Sequence, residues 1–140
     1  MEFKEEKSAG FRIHAYDKGE ITLAASPPIP LRGHPGAPGE TGLQRITRSL
    51  ILSSQTVITD WEPQVLADLR ITHMQPLFEL DPELVLLGTG ASLQFPAREF
   101  LDQLYRVNVG VEVMDTAAAC RTFNILVSEG RHVVAALLMI

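Results

Sequence analysis

The 140-residue chain has a single cysteine, so no internal disulfide framework can form, and thiol usage leaves the redox compartment open. It has no long apolar run. The longest, Val133–Ile140, falls well short of the roughly 20 residues that cross a bilayer as a helix. Positive charge is in deficit: 12 Lys and Arg against 17 Asp and Glu give 12 − 17 = −5, and a nucleic-acid binder needs a basic footprint. The opening MEFKEEKSAG has no apolar h-region and no arginine before Arg12, so neither a secretory signal nor a mitochondrial transit peptide is expected. What the chain does have is apolar material for a core, 46% hydrophobic against 21% charged residues, at the length of one domain.

Residues 1–10 read as a flexible charged leader and 11–140 as one domain. In FRIHAY, Phe11, Ile13 and Ala15 alternate with Arg12, His14 and Tyr16, the period of a half-buried strand. Asp17-Lys18-Gly19-Glu20 then turns the chain into ITLAA, which predicts an N-terminal β-hairpin with a loop of about four residues. Ser26–Gly42 carries five of the nine prolines (27, 28, 30, 35 and 38) and four of the ten glycines, a density that predicts an irregular loop. Order is expected again from Arg48, with SLILSS as a strand that Val57–Ile58 continues or pairs. A short helix is expected after Trp61-Glu62-Pro63, with Val65, Leu66 and Leu69 as its apolar stripe.

LVLLGTG is a short continuous apolar run ending in turn residues, the pattern of a strand buried on both faces. A helix from Pro96 to Arg106 follows, with Phe100, Leu101, Leu104 and Tyr105 inward and an Asp102–Arg106 pair at the stabilising spacing. Gly110 ends that unit and VEVM is the next strand. Asp115 is a good N-cap for a helix in which Ala119, Cys120, Phe123, Leu126 and Val127 repeat at three and four, and Gly130 stands at its C-terminal cap. HVVAALLMI is a buried last strand, of unassigned direction. Strand–helix–strand–helix–strand predicts right-handed parallel crossovers, so the fold class is α/β: a three-layer sandwich with a mixed, largely parallel central sheet plus the hairpin.

Catalytic and metal signatures are scarce. The histidines, at 14, 34, 73 and 132, lack ligand spacing, which predicts no metal site, and no Gly-x-Ser-x-Gly elbow exists. Cys120 lies on an apolar stripe, the place of a small buried hydrophobe. The one candidate site is where ligands gather in open α/β sheets, beyond the carboxyl ends of strands. Gly88-Thr89-Gly90-Ala91-Ser92 resembles an anion cradle, although it lacks the Lys-Ser or Lys-Thr of a nucleotide loop. Met114-Asp115-Thr116 opens a helix whose dipole favours negative charge. If the two strands are neighbours, Gly88, Thr89, Gly90, Ser92, Asp115, Thr116, Arg121 and Thr122 form a polar crevice for a small anion. The plainer alternative is structural: a strand exit needing positive φ, a cap at Asp115, and a surface arginine paired with an acid.

The string VGVEVMDTAAACRTFNILVSEGRHVVAALL resembles the signature end of a small Mth-type α/β domain family of largely unknown function. Its eukaryotic members include the mitochondrial NADH:ubiquinone oxidoreductase (complex I) assembly factor 3 and the adipogenesis-associated Mth-domain protein. LVLLGTG, SLILS and the opening FRIHAY with GEITL also match, from about Phe11 onward. The family pattern falls on Gly88, Thr89 and Gly90, on Met114, Asp115 and Thr116, on Ala119, Arg121, Thr122 and Asn124, and on Glu129, Gly130 and Arg131. The departure is Ser26–Gly42, where the family has a shorter connection. The resemblance implies the same three-layer fold, no established reaction and no known cofactor. It further implies a non-catalytic accessory protein with a protein partner in the biogenesis of a respiratory or export complex of the membrane. Without a transit peptide, a bacterial-type cytoplasmic member is expected. A small-ligand protein or enzyme, and a purely structural motif, remain the alternatives.

Overall fold

A computed structural model describes residues 10–26 and 42–140. The expected leader, apart from Gly10, and the Pro/Gly-rich loop between Ser26 and Gly42 lie outside the described residues. Strands β1 (Gly10–Asp17) and β2 (Glu20–Ser26) form the expected antiparallel hairpin. Its loop is two residues, Lys18-Gly19, rather than four, because pairing continues to Asp17 opposite Glu20 and Gly19 adopts φ +79°. The alternation of FRIHAY is broken midway. The register slips between Ile13 and Ala15, and such a bulge exchanges the two faces of a strand. Phe11 and Ile13 are buried as expected, but beyond the bulge Tyr16, not Ala15, packs toward the core. A strand with no counterpart in the sequence reading, β3 (Leu43–Ile46), pairs antiparallel with β2 and completes a three-stranded sheet.

The second sheet holds β4 (Leu50–Leu52), β5 (Val57–Ile58), β6 (Leu84–Gly88), β7 (Gly110–Met114) and β8 (Val133–Leu137), in the order β5-β4-β8-β6-β7. Strand β6 runs parallel to both β7 and β8, whereas β4 is antiparallel to β5 and β8. The sheet is therefore mixed, with its parallel part in the strand–helix–strand half. Strand β8 lies between β4 and β6, which accounts for its apolar sequence: a central strand has no wet face.

Three helices are present among the described residues: α1 (Gln75–Phe78), α2 (Arg98–Arg106) and α3 (Thr116–Ser128). The helix expected after Trp61 is replaced by two 3-10 turns, Leu66–Asp68 and Ile71–Met74, because Val65 and Arg70 before them are extended and interrupt any longer helix. Trp61 is buried, and its indole N–H donates to the His73 carbonyl at 3.0 Å. Helix α2 buries Phe100 and Leu104, but Tyr105 faces out. The chain leaves α2 through Asn108 at φ +60°, and Gly110 opens β7 instead of ending the helical unit.

Side-chain parity divides the core into two layers. On one face of the large sheet Leu50, Leu52, Leu86, Ala135 and Leu137 pack under α3 and the small sheet. On the other Ile51, Val85, Leu87, Val134 and Ala136 pack under Trp61, Met74, Leu77, Phe100 and Leu104. This is the expected three-layer sandwich. The two sheets are joined where the Phe11 N–H donates to the Ser54 carbonyl at 2.7 Å. Glycine is required beside that bond, since a Cβ on Gly10 would overlap the same carbonyl oxygen.

Candidate functional site

Parallel pairing in register from Leu84 opposite Gly110 to Gly88 opposite Met114 brings the two glycine- and aspartate-bearing turns out side by side. The ladder runs one residue further, with the Thr89 N–H donating to the Met114 carbonyl at 2.9 Å. Beyond it the strands are tied by one buried hydroxyl. Thr116 Oγ1 accepts from the Gly90 N–H at 2.8 Å and donates to the Leu138 carbonyl at 2.6 Å. The Thr116 N–H donates in turn to the Gly90 carbonyl at 3.0 Å, and the Leu138 N–H to the Gly88 carbonyl at 3.0 Å. The exits of β6 and β8 and the start of α3 thus close on the fully buried Thr116.

The two glycines of the turn serve different needs. Gly90 takes φ +105°, which an L side chain rarely adopts. Gly88 is demanded by close approach, because a Cβ there would lie 2.8 Å from Thr116 Oγ1 and 3.1 Å from Leu137 Cδ2. Thr89 Oγ1 donates to the Ser92 carbonyl at 2.8 Å and accepts from the Gln94 N–H at 3.1 Å, holding the next loop in shape. The Asp115 carboxylate accepts from the Ala118 N–H at 2.8 Å, the N-cap bond expected of it.

Arg121 leans the other way. Its Nη1 donates to the Tyr16 hydroxyl at 2.7 Å, with the guanidinium 6.0 Å from that ring's centroid. The Tyr16 hydrogen bond holds the guanidinium pKa above its ordinary value, with Asp115 a lesser contributor. Three residues on, the Asn124 amide takes the place of a strand: its Oδ1 accepts from the Ile13 N–H at 2.9 Å, and its Nδ2 donates to the Ile13 carbonyl at 2.8 Å. Gly88, Thr89, Gly90, Asp115 and Thr116 are therefore gathered. Ser92 enters by its carbonyl, its side chain exposed, and Thr122 is half-buried on α3.

Tyr16 and the clamping function of Asn124 escaped the sequence reading. The bulge hides Tyr16, whereas Asn124 carried a signal, an amide set within the apolar stripe of α3 and three residues from Arg121. Cys120 is buried and its thiol is pushed up to about 12 by burial, which removes it as a nucleophile near neutrality. Among the described residues no cluster of three or more His, Cys, Asp or Glu side chains could hold a metal ion, and no helix is long and apolar enough to cross a membrane. The polar groups of the motif thus bond chiefly to one another and to strand ends.

Comparison with known proteins agrees with the geometry. The chain is similar to the "13 kDa major membrane protein" of Francisella tularensis, 30% identical over 86 residues, 60% of this chain and 69% of that protein. It is also similar to NADH dehydrogenase [ubiquinone] 1 alpha subcomplex assembly factor 3 of Danio rerio, 37% identical over 83 residues, 58% of this chain and 48% of that protein. The chain thus spans about half the length of that assembly factor. Among solved structures, a Bordetella parapertussis protein superposes with TM-score 0.74 at 31% identity, over 95% of this chain and 98% of that one. A Bordetella pertussis protein described as a Mth938-like domain gives 0.69 at 26% identity, over 99% and 90%. Residues 38–138 match the family described as "Protein of unknown function (DUF498/DUF598)". With that match spanning most of its length, and with Mth938-like neighbours in structure, the chain belongs to the DUF498/DUF598 family.

Proposed function

We propose that the protein is a non-catalytic accessory factor that binds another protein during assembly of a membrane complex, respiratory or export, and that it works from the cytoplasm. The observation that carries the reading is that the motif's polar groups are spent on the fold. Gly90 N–H, Thr116 N–H, Ala118 N–H and the Thr89 and Thr116 hydroxyls all have partners within the chain. A frame so closed offers surfaces rather than reacting groups. The named roles of the two relatives, an assembly factor and a membrane protein, supply the direction. The test is deletion of the gene with native electrophoresis of solubilised membranes, together with cross-linking and affinity capture of the tagged protein. A complex stalled before completion, with its subunit captured, is expected. Complexes of normal abundance and no recurrent subunit overturn the reading.

A second reading rests on the exposed guanidinium of Arg121, near the start of α3. In it a small anion is held by Gly88, Thr89, Gly90, Ser92, Asp115, Thr116, Arg121 and Thr122. It requires these donors to exchange their present partners for the ligand, which weighs against it. Phosphate- or carboxylate-bearing metabolites at about 100 times their Kd would add roughly 2.7 kcal/mol, and Arg121→Ala would abolish the gain. A metabolite screen that leaves Tm unmoved removes this reading without touching the first.

A further inference from the structure

The large sheet ends on β7, and the fold leaves the outer edge of that strand open. In a parallel pair the N–H and C=O of one residue point to the same side, and those of the next residue to the other. The Met114 carbonyl accepts from the Thr89 N–H, so Met114, Glu112 and Gly110 bond to β6, and Val111 and Val113 turn both backbone groups outward. Among the described residues these outward groups have no partner. The edge at β1 is treated differently: the Phe11 N–H is taken by the Ser54 carbonyl, and both backbone groups of Ile13 by the Asn124 amide. The outer edge of β3 adjoins residues outside the described ones, and β5 is only two residues long.

The open edge also has a charge. Leu86, opposite Glu112, packs on the α3 side of the sheet, so Glu112 points to that side, exposed and outside every ion pair among the described residues. Acids flank it at both ends of α3, Asp115 at the start and Glu129 at the close. The cations of that side are already engaged, Arg121 by the Tyr16 hydroxyl and Arg131 by Glu83. Val111 and Val113 face the other way, half-buried under α2. There α2 exposes Arg98, Glu99, Asp102 and Arg106, two of each sign, so that side selects no charge. The Asp102–Arg106 pair expected from their spacing is not formed.

We propose that the edge of β7 takes an added strand from a partner protein: an extended segment with a lysine or arginine opposite Glu112 and an uncharged, β-branched residue on either side of it. Free backbone donors and acceptors at strand spacing call for another strand, and the side chains beside them choose which one. Run antiparallel, the segment pairs its two flanking residues with Val111 and Val113, each pair exchanging both backbone bonds. Its basic residue then meets Glu112 where cross-strand side chains come closest. This inference rests on the reading that the chain works by binding another protein, and it supplies that reading with a contact. A second copy of the chain is the poorer occupant. The two-fold that pairs Val111 with Val113 of the copy sets Glu112 directly against Glu112, and like charges there oppose pairing. One strand makes a small contact, so the complex is transient.

The test is an NMR titration of the full chain with two disulfide-closed hairpin peptides, each presenting one preorganised edge strand. One strand reads Thr-Val-Lys-Val-Thr, and its twin has Glu in place of Lys. The lysine hairpin is expected to bind with a Kd below about 1 mM and to protect the Val111 and Val113 amides from exchange. The twin should bind at least about threefold more weakly, and Glu112→Lys, at an exposed position, should reverse that order. Val113→Pro removes an outward N–H, which an edge strand tolerates, and should abolish binding of both hairpins. Circular dichroism checks that each variant is folded, and Glu112→Lys tests the proposal without touching the backbone. No response at Val111 and Val113 up to about 2 mM, an order of preference that Glu112→Lys leaves unchanged, or protection of these amides by self-association alone overturns the proposal. A folded Val113→Pro chain that captures the membrane-complex subunit as well as wild type also overturns it, and leaves the accessory-factor reading standing.

Discussion

Replacing Thr116 by valine isolates the bond network on which the crossing of β6, β8 and α3 rests. Valine has the same shape but no oxygen, so the Gly90 N–H and the Leu138 carbonyl lose their partner together. The site is fully buried, and water has no path to replace it. A buried donor or acceptor left unmade costs about 1–3 kcal/mol, so the pair costs about 2–6 kcal/mol. Valine itself has no hydroxyl to desolvate, which returns about 1–2 kcal/mol and leaves a net loss near 3 kcal/mol. Against a total stability of about 5–15 kcal/mol that is a large fraction. Thr116→Ser keeps both bonds and removes one methyl, so it should lose only about 1 kcal/mol. Urea unfolding followed by Trp61 fluorescence reads the whole fold, because Trp61 lies in the core on the far face of the large sheet. A Thr116→Val protein within about 0.5 kcal/mol of wild type would refute the network, as would a serine variant that falls as far as the valine one.

Asn124→Leu should cost about 1–3 kcal/mol and strip the Ile13 amide of hydrogen-exchange protection, since the amide group alone bonds both backbone atoms there; unchanged exchange at Ile13 counts against the clamp. Gly88→Ala should destabilise by about 3 kcal/mol or more, because the added Cβ meets backbone and side chain of the first turn of α3, whereas Gly130→Ala, strained at φ +79° but in open space, should cost only about 1 kcal/mol in the same urea titration. Cys120 should resist thiol reagents until the protein unfolds. Its folded value of about 12 lies above the ordinary 9.0, so its contribution is complete below pH 9 and is lost as pH rises from 9 toward 12. Wild type should therefore lose about 1 kcal/mol more than Cys120→Ala between pH 8 and 10, and parallel curves would contradict it.

The parts of the fold legible in one dimension were those set by local chemistry. Asp115 caps α3 and Gly130 takes the left-handed conformation at its end because cap geometry depends on the few residues around it. The neighbouring of Leu84–Gly88 and Gly110–Met114 stood in the sequence only as a condition; the parallel register meets it, whereas Gly110–Met114 and Val133–Leu137, also joined through a helix, have Leu84–Gly88 between them. The parts not legible depend on distant partners. The shift at His14 is a property of pairing with β2, and it decides that Tyr16 rather than Ala15 reaches Arg121. Leu43–Ile46 shows no alternation strong enough to mark a strand, and its place comes from β2 alone. Asn108, not Gly110, ends the helical unit, taking the positive φ that asparagine tolerates just past α2. The structure brings Gly88, Thr89, Gly90, Asp115 and Thr116 to one place, and their polar groups are mostly filled from within. Nothing in the spacing of GTG and MDT could reveal that Thr116 would face Gly90 and Leu138 at once.

That internal use of the motif bears on what likeness within the family can carry. A residue whose bonds close the frame is constrained by folding whatever the protein binds. Relatives can therefore share Gly88, Gly90, Asp115, Thr116 and Asn124 while differing in partner. Arg121 is held by Tyr16 and Asn124 by the Ile13 backbone, so even the exposed end of the motif faces the chain itself before it faces a ligand. What distinguishes one member from another must then lie on side chains the frame does not need. In this chain they include Leu93, Phe95, Tyr105 and Val107 around α2, with Val65 and Ile125 elsewhere, none required to close the core. Changing them should alter binding to a partner while leaving the urea midpoint in place, whereas changing Thr116 or Asn124 should do the reverse. A protein in which the two effects could not be separated would show that frame and surface are one system, and the division drawn between them would fail.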